Sequence, residues 1–329
     1  MAADQSDKWH HSMCRYLGLD SDNDFLFGIM PGVCREVVGR RDFMYTNPQC
    51  FNSKLVYSFT EYHHRKINKS KFVKSYYGTM PFMWDLGLIA TDTSRKNSPE
   101  GSLFFLPRDD QVTIREDEYK LVQEWIDWAP RPITFLLPWR ECDIWKNWDK
   151  LSLPQDSMIV QMNDRVNRQF ILSDLFLRHE HVYVPWPGTD IYYAEFLRKK
   201  IHIYDSIKRY RTKTVDEADR ANNTVIRFLK WGYDYLNDTQ KEFFHWTEKW
   251  NDIDVNDRRF LTTKVLGLDV LKSPEQLRED MIEQGFLQPD LDFRVNERYE
   301  LAYEWLKEKS NIFTNSNCSS TCATIYDKL

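Results

Sequence analysis

No stretch of the sequence holds a run of about 18 apolar residues, so no segment reads as a membrane-spanning helix. The first residues, 1–12, are polar and lack the apolar core of a secretory signal, which gives a cytoplasmic expectation. Six cysteines (Cys14, Cys34, Cys50, Cys142, Cys318 and Cys322) form no Cys-x-x-Cys pair and match no zinc spacing. They read as reduced thiols, and no metal is expected. Positive charge is not in excess: 45 Lys and Arg face 50 Asp and Glu, a formal net charge of -5. A general nucleic-acid binder is therefore not expected. No Gly-x-Gly-x-x-Gly opens a domain, so the dinucleotide fingerprint is absent.

What is present fits a globular chain. A length of 329 residues suggests two compact domains, and 42% hydrophobic content is enough for real cores. Residues 25–90 read as an irregular α/β layer. A strand over 24–30 runs into Pro31-Gly32, and a short helix over 33–38 carries Glu36. Strands are expected near 55–59 and 72–77. The polar stretch 91–100, with Pro and Ser, is the best linker. Domains are accordingly expected at 1–95, 96–210 and 211–329, the last a helical extension. In it, helical periodicity covers 216–236 and 239–250, Ser273-Pro274-Glu275-Gln276 starts a helix, 298–307 is a further helix, and the tail 311–329 reads as loosely ordered. At the other end, only a helical turn near 13–17 is expected.

From residue 101 the pattern is cleaner. Apolar runs at 102–106, 133–137, 158–162, 182–184 and 201–204 alternate with helical stretches at 116–128, 170–177 and 191–196. In 116–128, Tyr119, Leu121, Val122, Trp125, Ile126 and Trp128 form one broad apolar side, as a helix packed on a sheet needs. Strands separated by helices imply a parallel, doubly wound sheet, and unbroken apolar runs imply cover on both faces. Ligands of such sheets bind beyond the carboxyl ends of the strands. The residues there are Arg108, then Trp139 and Arg140, then Asn163, Asp164 and Arg165, then Gly188, Thr189 and Asp190. Three of these four strand ends carry an arginine within three residues, and a guanidinium fork suits phosphate oxygens. Thr189 or Asp190 would start the helix after the Pro185–Gly188 loop, where unpaired amides hold anions. A Thr or Asp in that position also ordinarily serves as a plain helix cap.

Three segments carry a resemblance: Gly101 to Pro107, Pro132 to Trp145, and Pro185 to Tyr204. They resemble bacterial and phage glycosyltransferase-like proteins of capsular-polysaccharide and cell-surface glycan pathways. Tyr77 to Phe82 resembles the turn that closes that family's first domain. Leu266-Gly267-Leu268-Asp269 with Ser273 to Leu277 resembles its closing helical segment. The matches are short and scattered over residues 55 to 280.

The resemblance implies a GT-B-like fold of two Rossmann-type domains, with the donor bound mainly by the second. It implies a nucleotide-sugar donor, a glycan or other hydroxyl acceptor, a metal-independent transfer, no cofactor and no nucleic acid. Peripheral membrane contact is left open. Glycosyl transfer needs the leaving phosphate neutralised and the acceptor hydroxyl deprotonated. The first task falls to the Gly188 and Thr189 amides with Arg108 and Arg140, with Trp139 stacked on the base or filling the core. For the second, Glu36 leads, ahead of Asp42 and His63. Two other readings stand beside this one: transfer of a phosphate-linked unit such as glycerol phosphate, and a non-catalytic interaction protein that keeps the fold.

Overall fold

A computed structural model describes residues 6–19, 28–29, 55–58, 60–68, 74–94, 98–106, 116–137, 150–162, 167–185, 187–204, 238–291, 293–294 and 296–328. In chain order the first elements are α1 (Ser6–Leu17), β1 (Gly28–Ile29), β2 (Leu55–Ser58), α2 (Glu61–Asn68), β3 (Lys74–Tyr77) and α3 (Pro81–Ala90). Next come β4 (Ser102–Phe105), α4 (Glu116–Trp128), β5 (Ile133–Leu137), β6 (Met158–Gln161), α5 (Arg168–Arg178), β7 (His181–Val184), α6 (Thr189–Phe196) and β8 (Lys200–Ile203). The last are α7 (Asp238–Thr247), α8 (Val255–Leu266), α9 (Pro274–Glu283), α10 (Arg298–Thr314) and α11 (Ser320–Lys328). Contacts divide the chain into two units. One comprises Met1–Lys96, Arg165–Asp174 and Val255–Cys318, the other Asn97–Asp164, Leu175–Asp254 and Ser319–Leu329. The C-terminal helices are thus shared between the two rather than forming a block of their own.

The first unit holds a parallel sheet in the order β1-β2-β3. Its core is built on α3, whose residues Pro81 to Ile89 are all buried. Pro81 at the first helical turn sets φ where no amide partner is needed. Trp84 stacks on Tyr16 of α1 with ring centroids 4.2 Å apart. Gly87 lets α3 approach α10 closely: a Cβ there would lie 2.9 Å from the Ala302 carbonyl oxygen. Asp85 is the one charged group on α3, and it is fully buried. Arg15 Nη2 meets its Oδ2 at 2.9 Å, Ser12 Oγ donates to the same oxygen at 2.5 Å, and the Tyr299 hydroxyl reaches Oδ1 at 3.4 Å. A buried carboxylate requires such partners. Helix α9 opens with the expected capping box: Ser273 Oγ accepts from the Gln276 amide at 3.3 Å, and the Gln276 side chain accepts from the Ser273 amide at 3.1 Å.

The second unit is a mixed α/β layer around a parallel five-stranded sheet, consistent with a Rossmann-like fold. Its strand order is β6-β5-β4-β7-β8. In order of sequence that is 3-2-1-4-5, the doubly wound arrangement. In register, Ser102 lies beside Ile133 and His181, and Phe104 beside Phe135 and Tyr183. Val122 and Ile126 of α4 close over Phe104, Ile133, Phe135 and Leu137 to make the core of that face. Gly101 opens β4 with φ +65°, and a Cβ there would meet the Pro132 carbonyl oxygen at 2.1 Å, so glycine alone fits.

Four expectations are corrected. The polar lead-in is a helix of 12 residues, α1, not one turn, because Met13, Cys14, Tyr16 and Leu17 are buried. The tail is not loose: α10 runs on to Thr314, and α11 buries Cys322, Ile325 and Tyr326. Strand β6 is not covered on both faces: it is an edge strand, with Met158 50% and Ile159 42% exposed. Trp128 does not join the core-facing side of α4, since at the last residue of the helix it stands 85% exposed. The expected strand over 24–30 is seen as β1 alone, and the helices expected at 33–38 and 216–236 lie outside the described residues. Among the described residues, no helix is long and apolar enough to cross a membrane.

Candidate functional site

The sheet of the second unit reverses direction between β4 and β7. The connection after β4 leads to β5 on one side, and the connection after β7 leads to β8 on the other. In doubly wound sheets, a ligand usually binds beyond the carboxyl ends of two strands whose connections run to opposite sides in this way.

The loop after β7 is well defined. Pro185, Pro187 and Gly188 are buried. Gly188 takes an extended conformation, φ -132° and ψ -175°, and is the N-cap of α6. Helix α6 therefore begins two residues earlier than expected. Thr189 is its first residue and Asp190 its second, and neither is the cap. No side chain caps this helix start. Ile191, Tyr192, Tyr193, Ala194 and Phe196 anchor α6 in the core. From the other side, Trp250 Nε1 donates to Glu195 at 3.0 Å and Asn251 Nδ2 to the Ile201 carbonyl at 2.8 Å. Helix α6 is thus anchored in the core, with Trp250 tied to its last turn and Asn251 to the strand that follows.

The electrostatics there are mixed. The N-terminal end of a helix carries partial positive charge and favours an anion. Asp190 already supplies a carboxylate in the first turn. Burial, with that carboxylate nearby, holds the Tyr193 hydroxyl well above its ordinary range, so it stays neutral. A phosphate at this loop therefore needs cationic help beyond the helix itself.

Gly188, Thr189 and Asp190 stand at the switch point. Arg108, Trp139, Arg140 and Asn163 follow β4, β5 and β6, which are parallel and end on the same edge, but these four lie outside the described residues. Glu36 and Asp42 also lie outside them. His63 belongs to α2 of the first unit, and its side chain lies outside the described ones.

Two features were not anticipated from sequence. Tyr204, just past β8, donates its hydroxyl to the Phe105 carbonyl of β4 at 2.6 Å, reaching over the end of β7 between them. On one face of β7 and β8, His181 Nδ1 and His202 Nε2 face each other at 3.0 Å. Burial lowers both imidazoles, His202 to about 4. Nearby, burial also lowers the Lys199 ammonium to about 8. The period-2 alternation His181/Tyr183 and Lys200/His202 is the signal in the sequence, because it puts all four side chains on one face. By contrast His179, deeply buried, is fully satisfied by the Leu175 carbonyl at 2.7 Å and Thr134 Oγ1 at 2.8 Å, and so has a structural role.

Compared with known proteins, the chain matches no family model, no curated protein and no solved structure.

Proposed function

We propose that the chain is a glycosyltransferase of GT-B-like kind that takes its sugar from a nucleotide-sugar donor. One observation carries the reading: the 3-2-1-4-5 strand order sets the Gly188–Thr189 helix start at the switch point of a parallel sheet. In this reading the Thr189 end of α6 receives the donor phosphates. Arg108 and Arg140 supply the positive charge that Asp190 makes necessary, Asn163 adds a polar contact, and Trp139 lies against the nucleobase. Glu36, or after it Asp42 or His63, takes the proton of the acceptor hydroxyl.

A nucleotide panel tests it. UDP, CDP or CMP at millimolar concentration is expected to raise the melting temperature, as any ligand of the native state does. Arg108→Ala and Thr189→Val are expected to abolish the rise without changing the melting of the free chain. No stabilisation by any nucleotide would end the reading. Stabilisation with turnover of a labelled nucleotide-linked glycerol donor, but of no sugar donor, would move it to transfer of a phosphate-linked unit. Stabilisation without turnover of either would leave a binding protein.

A further inference from the structure

We propose that His181 and His202 form an acid-operated catch on the edge strand β8, closed while their facing nitrogens share one proton and released when both carry one. The catch stands on the register of β7 and β8 and does not depend on the reading of the loop that opens α6.

The geometry is the argument. Strand β8 closes one edge of the five-stranded sheet, and β7 is its only strand partner among the described residues. The two pair so that Tyr183 lies beside His202 and Lys200 beside His181. His181 and His202 are therefore diagonal neighbours on one face, and they bridge the two strands. Nδ1 of His181 meets Nε2 of His202 at 3.0 Å, with the rings parallel within 4° and their centroids 5.3 Å apart. Such a contact holds a single proton: the nitrogen that carries it donates, and the other accepts with its lone pair. A first added proton goes to an outer nitrogen and leaves the bond intact. A second must go to the accepting nitrogen, and two N–H groups then oppose each other where a bond stood. The pair cannot hold both added protons and stay closed.

The surroundings keep the rings in place and favour their neutral forms. His202 stacks on Tyr183 at 4.3 Å, Tyr183 stacks on Phe104 at 4.2 Å, and Trp125 of α4 flanks His202 at 5.9 Å. These three neighbours are uncharged, and the charged residues of α4 nearest Trp125, Glu124 and Asp127, stand in solvent. The charges that act on the pair are Lys200 of β8 and Glu180 just before β7, tied to each other at 2.7 Å. Lys200 opposes a further positive charge on either ring, and Glu180 favours one on His181. Burial outweighs both and lowers His202 to about 4. Once β8 lifts from β7, the rings meet water and titrate near the ordinary 6.5. The open strand then binds more protons than the closed one. The catch is therefore secure above about 6.5 and loosens progressively as pH falls toward 4.

Hydrogen exchange on the full chain tests it. The reporters are the Lys200 amide, which donates to the Glu180 carbonyl, and the Tyr204 amide, which donates to the Val184 carbonyl, both at 3.0 Å. Their protection, corrected for intrinsic exchange, is expected to fall about tenfold per pH unit from about 6 to about 4, the mark of one extra proton in the open strand. It is also expected to be lower than that of the β5 amides at every pH, because the edge opens by itself. His202→Gln keeps a hydrogen-bonding side chain beside His181 but takes no proton, so the fall should flatten. An equally steep fall in the variant would overturn the proposal. So would one protection factor common to β8 and β5 throughout, which marks unfolding of the whole unit. If the variant fails to fold, the ring nitrogen shifts of the unaltered chain decide: His202 titrating near 6.5 with β8 still paired also overturns it.

Discussion

The two sheets are made of the same parts in different orders. Both are parallel, and both draw on short apolar strands followed by helices. The described strands of the first unit run β1-β2-β3, each new strand laid on the same side of the last. The second sheet turns back after its third strand and adds β7 on the other side of β4. Only a sheet that reverses in this way has neighbouring loops that diverge at the carboxyl edge. Composition does not separate the two. Order does, and with it the presence of a switch point, where doubly wound sheets usually take their ligands.

The comparison assumes that each unit has its own core, and large truncations test it most sharply. Trp84→Ala in the first unit and Phe104→Ala in the second should each cost about 3–5 kcal/mol, since both rings are fully buried. Scanning calorimetry should show two transitions, with each variant lowering a different one. A single transition lowered equally by both would merge the units into one cooperative body.

Next in size is the buried ion pair, which has no counterpart in the described core of the five-stranded sheet. Asp85→Ala is expected to destabilise the first unit by about 3 kcal/mol, because it strands the Arg15 guanidinium and the Ser12 and Tyr299 hydroxyls. Urea denaturation followed by Trp fluorescence measures it. Asp85→Asn, which keeps an acceptor, should cost less.

A pH dependence comes third. Burial, and a hydrogen bond to the Glu275 carboxylate, raise Glu300 to about 7. The native state then holds this proton where the unfolded chain, near the ordinary carboxyl value, has lost it. Stability contributed by the protonated group is full at low pH and falls as pH rises from about 4.5 to about 7. His202, which burial lowers to about 4, contributes stability of the opposite slope over much of the same window, so the difference is the readout. The melting temperature of Glu300→Gln minus that of the unaltered chain should rise from about pH 4.5 to about 7. A difference that stays constant would remove Glu300 as a source of pH dependence. The smallest effect is expected at Trp128. Standing out in solvent at the end of α4, it should tolerate Trp128→Ser within about 0.5 kcal/mol by chemical denaturation.

Much of the second unit was legible because its signals are local. Helix α4 has apolar residues at helical spacing, and β4, β5 and β7 are apolar runs closed by Pro or polar turns. Helix α3 was missed for a physical reason. Apolar almost all round, Pro81 to Ala90 shows no period, and only Pro81 marks its start. Helix α1 and helix α11 were missed because their sequences are polar and their helicity is fixed by the few residues they bury. Of the site, Gly188 to Asp190 could be read from the turn that precedes a helix. The return of β7 to the side of β4 could not, because strand order is set by contacts far apart in sequence. The His181–His202 pair was hidden likewise: 21 positions separate the two, and only the β7–β8 register brings them together.

The Tyr204 hydroxyl has a mechanical consequence. It fastens β8 to the Phe105 carbonyl across the end of β7, while the Tyr204 amide bonds to the Val184 carbonyl at 3.0 Å. The last turns of three strands are stitched by one residue, so fraying at that edge cannot proceed strand by strand. The terminal amides of β7 and β8 should exchange with deuterium at a common rate. Shortening the side chain by its hydroxyl, in Tyr204→Phe, should let those rates drift apart while the amides at the opposite end of the strands keep theirs.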